Sequence, residues 1–401
     1  MTRLAGTALA SLAVAGVLAA TVSAAPGARV ATFGPSDAGR VLVLVPGLGA
    51  GAGALTVLAQ ELVIRVPNLQ VWTVDRRTDA LEDTLGFATG EPGTVYRYYF
   101  EGLAFGGRTF NPDLARTTTE ARGWGLAVSL ADLRVVVQRA RSGGRRVLLG
   151  GHSLGAATAL AYAAWDFGGR PGHRDLAGLV LVDGGQLGTF GRPTVPQART
   201  ALAALATTQP FEDRLGIGVP WLFGVFGQLA AMHALWAPGA PSALAASPLV
   251  PDAYRPPGTP TNLDFLRYAL TQSGIDPDRC GIENALRLVG ATEPNSFDWY
   301  FPTRLKIDLL GAASLGDDPV TRLLGLRLRH LATIDLPLYA FSTGDVPAAR
   351  KGAQALLAQS RSPRADAVVE HDATMRHSDP LCAPLGRSPF LRTLVPWLKK
   401  R

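Results

Sequence analysis

The chain has 401 residues, 47% of them hydrophobic and 18% charged. That composition supports a large folded core and excludes an intrinsically disordered protein. The formal net charge of +7 rests on arginine, because lysine occurs only at Lys306, Lys351, Lys399 and Lys400. The arginines are scattered, without a long basic run or interleaved aromatics, which argues against a nucleic-acid partner and for a solvated basic surface.

In chain order, Arg3 and the alanine-rich apolar run 4–22 lead to Val22-Ser23-Ala24, whose small residues stand where a signal peptidase reads. Residues 1–24 are therefore expected to be a signal peptide and are set apart from the fold. An uncleaved anchor is the competing reading. The richness of the run in Ala and Gly and its poverty in Leu and Ile favour cleavage. The protein is thus expected to be secreted or associated with the cell envelope, with no stable membrane span after cleavage.

Segments 40–45 (RVLVLV), 69–74 (LQVWTV), 146–150 (RVLLG), 179–182 (LVLV), 336–342 (LPLYAFS) and 365–370 predict buried strands: short continuous apolar runs closed by turn residues. Residues 76–120 read as an irregular excursion. Leu126, Leu130, Leu133 and Val137 at helical spacing predict a helix over 124–140, and further helices are expected over 156–165 and 390–400. Apolar strands alternating with helices indicate an α/β fold with a mostly parallel sheet covered on both faces. About 150 residues without a clear strand interrupt that rhythm, too many for a loop. The expected division is a first core segment 28–189, a mainly helical cap 190–335 inserted before the penultimate strand, and a second core segment 336–401. No internal repeat is evident.

The stretch 147–156 (VLLGGHSLGA) brackets Ser153 between Gly151 and Gly155, behind a strand and before a small-residue helix. A serine at so sharp a turn needs glycines where side chains would collide, and it stands exposed at a helix N-terminus. A tight structural turn is the plainer alternative. In that context GHSLGA resembles the nucleophile elbow of the α/β-hydrolase superfamily. The resemblance implies a triad in chain order Ser, Asp or Glu, His, an oxyanion hole, and often an inserted cap. By analogy, the loop Pro46-Gly47-Leu48-Gly49-Ala50-Gly51 would supply one oxyanion donor from the N–H of Leu48, and the elbow the other from Leu154. Proline stands where the family commonly has histidine, at little cost to a backbone donor.

For the base, His377 in His377-Ser378-Asp379-Pro380-Leu381 is favoured over His371, which follows the last strand so closely that it is expected to belong to it. Asp379 is expected to shape that loop. For the acid, Asp345 occupies the usual family position behind the penultimate strand. Asp183 occupies the other position the superfamily uses and is the alternate. His152 belongs to the elbow, His173 and His330 sit among surface-type residues, and His233 reads as cap packing.

Cys280 and Cys382 have no CxxC partner, so zinc and dithiol redox chemistry are unsupported. In an exported protein they could form one disulfide. Residues 219–236 (VPWLFGVFGQLAAMHALW) predict an apolar cap helix, and Trp299, Tyr300 and Phe301 mark the cap's return to the sheet. If this apolar face lines the site, the substrate is hydrophobic. The expected activity is carboxylic ester hydrolysis on a small-molecule or lipid-like ester, with no cofactor and no metal. The competitors are another serine hydrolase (peptidase, amidase or thioesterase), and a non-catalytic binding protein on the same fold.

Overall fold

The structure, a computed structural model, describes residues 21–25, 28–112, 119–293 and 295–401. Most of the expected signal peptide lies outside these residues. Eight strands form one sheet: β1 (Thr21–Ala25), β2 (Ala28–Phe33), β3 (Arg40–Val45), β4 (Leu69–Val74), β5 (Arg146–His152), β6 (Gly178–Val182), β7 (Leu338–Thr343) and β8 (Val368–Asp372). Their order across the sheet is β1-β2-β4-β3-β5-β6-β7-β8. The pairs β1–β2 and β2–β4 are antiparallel, and every other pairing is parallel. This is the α/β-hydrolase fold. The sequence reading found the parallel strands to within a few residues and missed the two antiparallel ones: β1, most of which it had set apart with residues 1–24, and β2, whose six residues (ARVATF) are short and follow directly on the leader region.

Strand alternation divides the sheet between two cores. Leu42, Leu44, Val71, Leu148 and Val180 face one side, against α1 (Thr56–Arg65) and the C-terminal helix Pro389–Lys399. Val41, Val43, Leu149, Leu179 and Leu181 face the other, against Leu126–Ala140 and Leu154–Ala164. Fully burying each such side chain contributes about 1.5–3 kcal/mol. All eleven residues of Leu154–Ala164 are buried. Its run of alanines lets the helix that follows Ser153 lie close to the sheet without steric conflict.

The excursion 76–120 contains a helix that periodicity did not reveal, α2 (Pro92–Phe100). Its signal was a cap: Glu91 accepts the N–H groups of Gly93 and Thr94, and Pro92 opens the first turn. Numbering onward, the helices Leu126–Ala140 and Leu154–Ala164 are α3 and α4, and the long helix of the insertion, Leu222–Trp236, is α5. Helix α5 packs on α2 and on α6 (Asn262–Gln272). Phe100 stacks on Phe226 at 5.5 Å, and Trp221 meets Phe110 edge-on at 4.8 Å. The roof over the sheet is therefore built from two segments of chain. Within 190–335, the helix α7 (Thr303–Gly311) lies against α3 and α4, so the insertion has rejoined the sheet layer by Thr303. No helix among the described residues is long and apolar enough to cross a membrane.

Cys280 and Cys382 are joined in a disulfide with a Cα–Cα distance of 5.0 Å and a sequence separation of 102. The bond ties the inserted segment to the chain just past His377. A loop of that length constrains the unfolded chain strongly. Replacing both cysteines by alanine is expected to lower stability by about 2–5 kcal/mol, read as an earlier urea midpoint. Wild-type protein in excess dithiothreitol should shift in the same direction.

Candidate active site

At the end of β5 the backbone of Ser153 takes φ 56° and ψ −124°, a conformation that L-residues rarely adopt. Four glycines make room for it. A Cβ at Gly155 would lie 2.0 Å from the Val45 carbonyl oxygen, and one at Gly151 2.3 Å from the Gly155 carbonyl carbon. One at Gly184 would lie 2.1 Å from the Ser153 carbonyl oxygen, and one at Gly47 3.0 Å from the Ser153 Cβ. Alanine at 151, 155 or 184 would meet backbone, which cannot yield without moving strands. The Ser153 N–H is anchored on the Val182 carbonyl at 2.9 Å.

Ser153 and His377 line one cavity of about 320 Å³. His377 Nδ1 lies 2.5 Å from Asp183 Oδ2, and the Asp183 side chain is fully buried. Both Asp183 oxygens are further fixed on Thr343, by its N–H at 2.6 Å and its hydroxyl at 2.7 Å. The hydrogen between Nδ1 and a carboxylate belongs to the imidazole, which leaves Nε2 as the free acceptor.

The preference for Asp345 is thereby corrected. Its carboxylate accepts the backbone N–H of His377 at 2.9 Å and Arg376 Nε at 2.9 and 3.1 Å, so it holds the main chain of the histidine and not its ring. Arg376, the residue before the histidine, is the sequence signal that Asp345 has another partner. Asp183 carried a signal as well, since it opens Asp183-Gly184-Gly185 and Gly184 is pressed against Ser153. His371 lies in β8 with Nδ1 on the Ser342 hydroxyl, apart from the cavity wall.

The histidine loop is pinned from several directions. Ser378 N–H donates to the Gly274 carbonyl of the insertion at 2.8 Å, and Asp379 accepts the N–H groups of Arg376 and Asp276 at 2.7 Å each. The His377 carbonyl oxygen lies 2.9 Å from His152 Nε2, which must therefore carry a hydrogen. Burial and the neighbouring His377 ring push His152 down to about 3, so it stays neutral.

Leu48 and Leu154 flank Ser153, and among the described residues neither gives its N–H to another group. The remaining wall is mostly apolar, with Phe223, Phe226, Phe265, Leu266, Ile275 and Phe297 prominent. It holds one fully charged side chain, Arg214, and no carboxylate. Phe223 and Phe226 come from the apolar helix that the sequence marked, whereas Arg214 stands in a polar turn and carried no signal. The described residues gather one trio of potential metal donors, Cys280, Asp379 and Cys382. Its sulfurs form the disulfide and its carboxylate holds the histidine loop.

No protein-family model and no curated protein matches the chain. Among solved structures it is similar to a monoglyceride lipase from Saccharomyces cerevisiae, with 15% identity over 96% of each chain and a TM-score of 0.44. It is also similar to the thioesterase domain from the curacin biosynthetic pathway, with 14% identity over 95% of this chain and 99% of that one and a TM-score of 0.46. A third likeness is epoxide hydrolase A from Mycobacterium thermoresistibile, with 15% identity over 95% and 98% and a TM-score of 0.46. The α/β-hydrolase fold itself rests on the strand order and on the elbow at the end of β5.

A histidine held near 3 when folded and at 6.5 when unfolded contributes stability that is complete above about pH 6.5 and is lost as pH falls from there toward 3. At pH 4 the loss is on the order of 3 kcal/mol. His152→Gln, whose amide can still donate to the His377 carbonyl, should lose less melting temperature than wild type between pH 7 and pH 4. Equal losses in the two proteins would refute the neutral His152.

Proposed function

We propose that the chain is a serine hydrolase that cleaves carboxylic esters of apolar substrates. The observation that carries the reading is the Ser153 turn and the Asp183–His377 pair converging on one apolar cavity. Ser153 Oγ attacks the ester carbonyl while His377 Nε2 takes its proton. Asp183 stabilises the resulting imidazolium and fixes its orientation. The N–H groups of Leu48 and Leu154 receive the oxyanion, each worth about 2.7–4 kcal/mol of transition-state stabilisation. His377 then protonates the leaving alcohol, and water activated by the same ring hydrolyses the acyl-enzyme.

The wall supports an apolar acyl group: it is lined by phenylalanine, leucine and isoleucine, and it lacks the carboxylates that a peptide's amino terminus would call for. A pure binding protein would have no use for a nucleophile in a strained turn beside a buried imidazole–carboxylate pair. The disulfide supports an oxidising compartment and so agrees with export on the alanine-rich leader.

The test is hydrolysis of p-nitrophenyl esters of graded acyl length. A cavity of this size, about 320 Å³, holds on the order of ten water-sized groups. Rates should rise from acetate to a maximum between butyrate and octanoate and fall at palmitate. Ser153→Ala should abolish the activity. Asp183→Asn should lower kcat by roughly 10⁴-fold. Asp345→Asn should lower it by less than about tenfold, because the amide oxygen that replaces the carboxylate can still accept the His377 N–H. The reverse order of the two aspartates would return the acid role to Asp345.

A further inference from the structure

The glycine-rich loop after β3 is gripped by two arginines that belong to no motif. Arg76, two residues beyond β4, donates Nη2 to the carbonyl oxygens of Pro46 at 2.5 Å and Gly47 at 3.1 Å. Its Nη1 reaches the Ala50 carbonyl at 3.2 Å and Asp298 Oδ2 at 3.0 Å. The Arg76 side chain is 10% exposed and that of Asp298 5%. Asp298 is steadied in turn by the Thr78 hydroxyl and the Tyr300 N–H, both at 3.2 Å. The guanidinium lies over the Phe301 ring at 4.6 Å. From the inserted segment, Arg214 Nη1 donates to the Leu48 carbonyl at 2.6 Å. Successive peptide planes of the loop are thus held, one from the sheet layer and the next from the cap.

A trans amide carries its C=O and N–H on opposite sides. A donor seated on the Gly47 carbonyl therefore turns the N–H of Leu48 away from itself. That N–H has no partner among the described residues, and Leu48 lines the cavity beside Ser153. We infer that Arg76 is a positioning residue for the oxyanion hole, aiming the Leu48 N–H at the reacting oxygen by holding the other face of the same peptide. The inference rests on the ester-hydrolase reading. A charged donor on the carbonyl also polarises the amide and makes its N–H a stronger donor. Lysine cannot replace this fork, because one ammonium cannot span three carbonyls and a carboxylate in fixed geometry.

The experiment compares wild type, Arg76→Lys and the double variant Arg76→Met with Asp298→Asn. The double variant removes both charges and so leaves no lone buried carboxylate. Each is checked for folding by thermal melting, then assayed for kcat and KM on p-nitrophenyl butyrate and for inhibition by an alkyl trifluoromethyl ketone, whose adduct with serine carries the oxyanion. Both variants are expected to lose about 10–100-fold in kcat with KM within about threefold. Their affinity for the ketone should fall by the same factor as kcat. A folded variant that keeps kcat within about threefold of wild type overturns the inference. So does a loss of kcat without a matching loss of ketone affinity, or a loss confined to KM. If the double variant does not fold, Arg76→Lys alone decides. A folded wild type that hydrolyses no ester overturns the functional reading itself, whereas an active wild type with indifferent Arg76 variants overturns only the role of Arg76.

Discussion

One backbone conformation constrains everything around the site: the left-handed turn at Ser153. It costs of order 1–3 kcal/mol, and it persists because the sheet and α4 determine the chain on both sides. Val45 and Gly47 at the end of β3 and Gly184 after β6 approach the turn so closely that both neighbouring strand ends are committed to it along with β5. The ends of β3, β5 and β6 therefore cannot shift independently. The loop after β3, the serine and Asp183 form one rigid edge of the parallel sheet. A site assembled on strand ends in this way needs little reorganisation when charge develops, which is the condition under which fixed dipoles stabilise a transition state well.

Beneath that edge lies an unusual electrostatic arrangement. Arg76 is the central cation among Asp75, Asp79, Glu82 and Asp298. Burial pushes Asp75 up to about 7, with Asp79 adding to the shift, and burial also raises Glu82 and Asp298. Burial opposes the charged form of each of these acids, and two guanidinium groups offset it, Arg76 on Asp298 and Arg29 on Asp79 at 3.4 Å. Their oxygens hold backbone that the site depends on: Asp75 accepts the Ala52 N–H, and Glu82 accepts the Trp299 N–H. The loop after β3 and the returning end of the insertion are thus fastened to the same buried group of charges.

The elbow was legible because its signal is local: a strand, glycines at two fixed offsets and a helix of small residues all fall within twenty residues. The parallel strands were legible because burial on both faces leaves uninterrupted apolar runs. What escaped depends on distant chain. The choice between Asp183 and Asp345 turns on how β6 and β7 end relative to the histidine loop, and on Arg376 diverting Asp345, neither of which periodicity encodes. Helix α2 announced itself only through the Glu91 cap. His173, placed among surface residues by its neighbours, is buried against the Ala163 carbonyl by the close packing of α4. Arg76 and Arg214 act through carbonyl oxygens, and a backbone acceptor leaves no trace in sequence.

The pairing of Asp183, just past the end of β6, with the His377 ring has a structural consequence for the histidine. With Asp183 on the ring, Asp345 is free to bind the His377 backbone, while His152 binds the carbonyl of the same residue. Ring, N–H and C=O of His377 are then each fixed by a different strand end: β6, β7 and β5. The disulfide and the Gly274 carbonyl add the insertion as a further support. A histidine held at so many points has little freedom to reorient within the cavity that Ser153 also lines. The same ties make the insertion part of the histidine's foundation, so the insertion and the histidine loop are expected to move together or not at all.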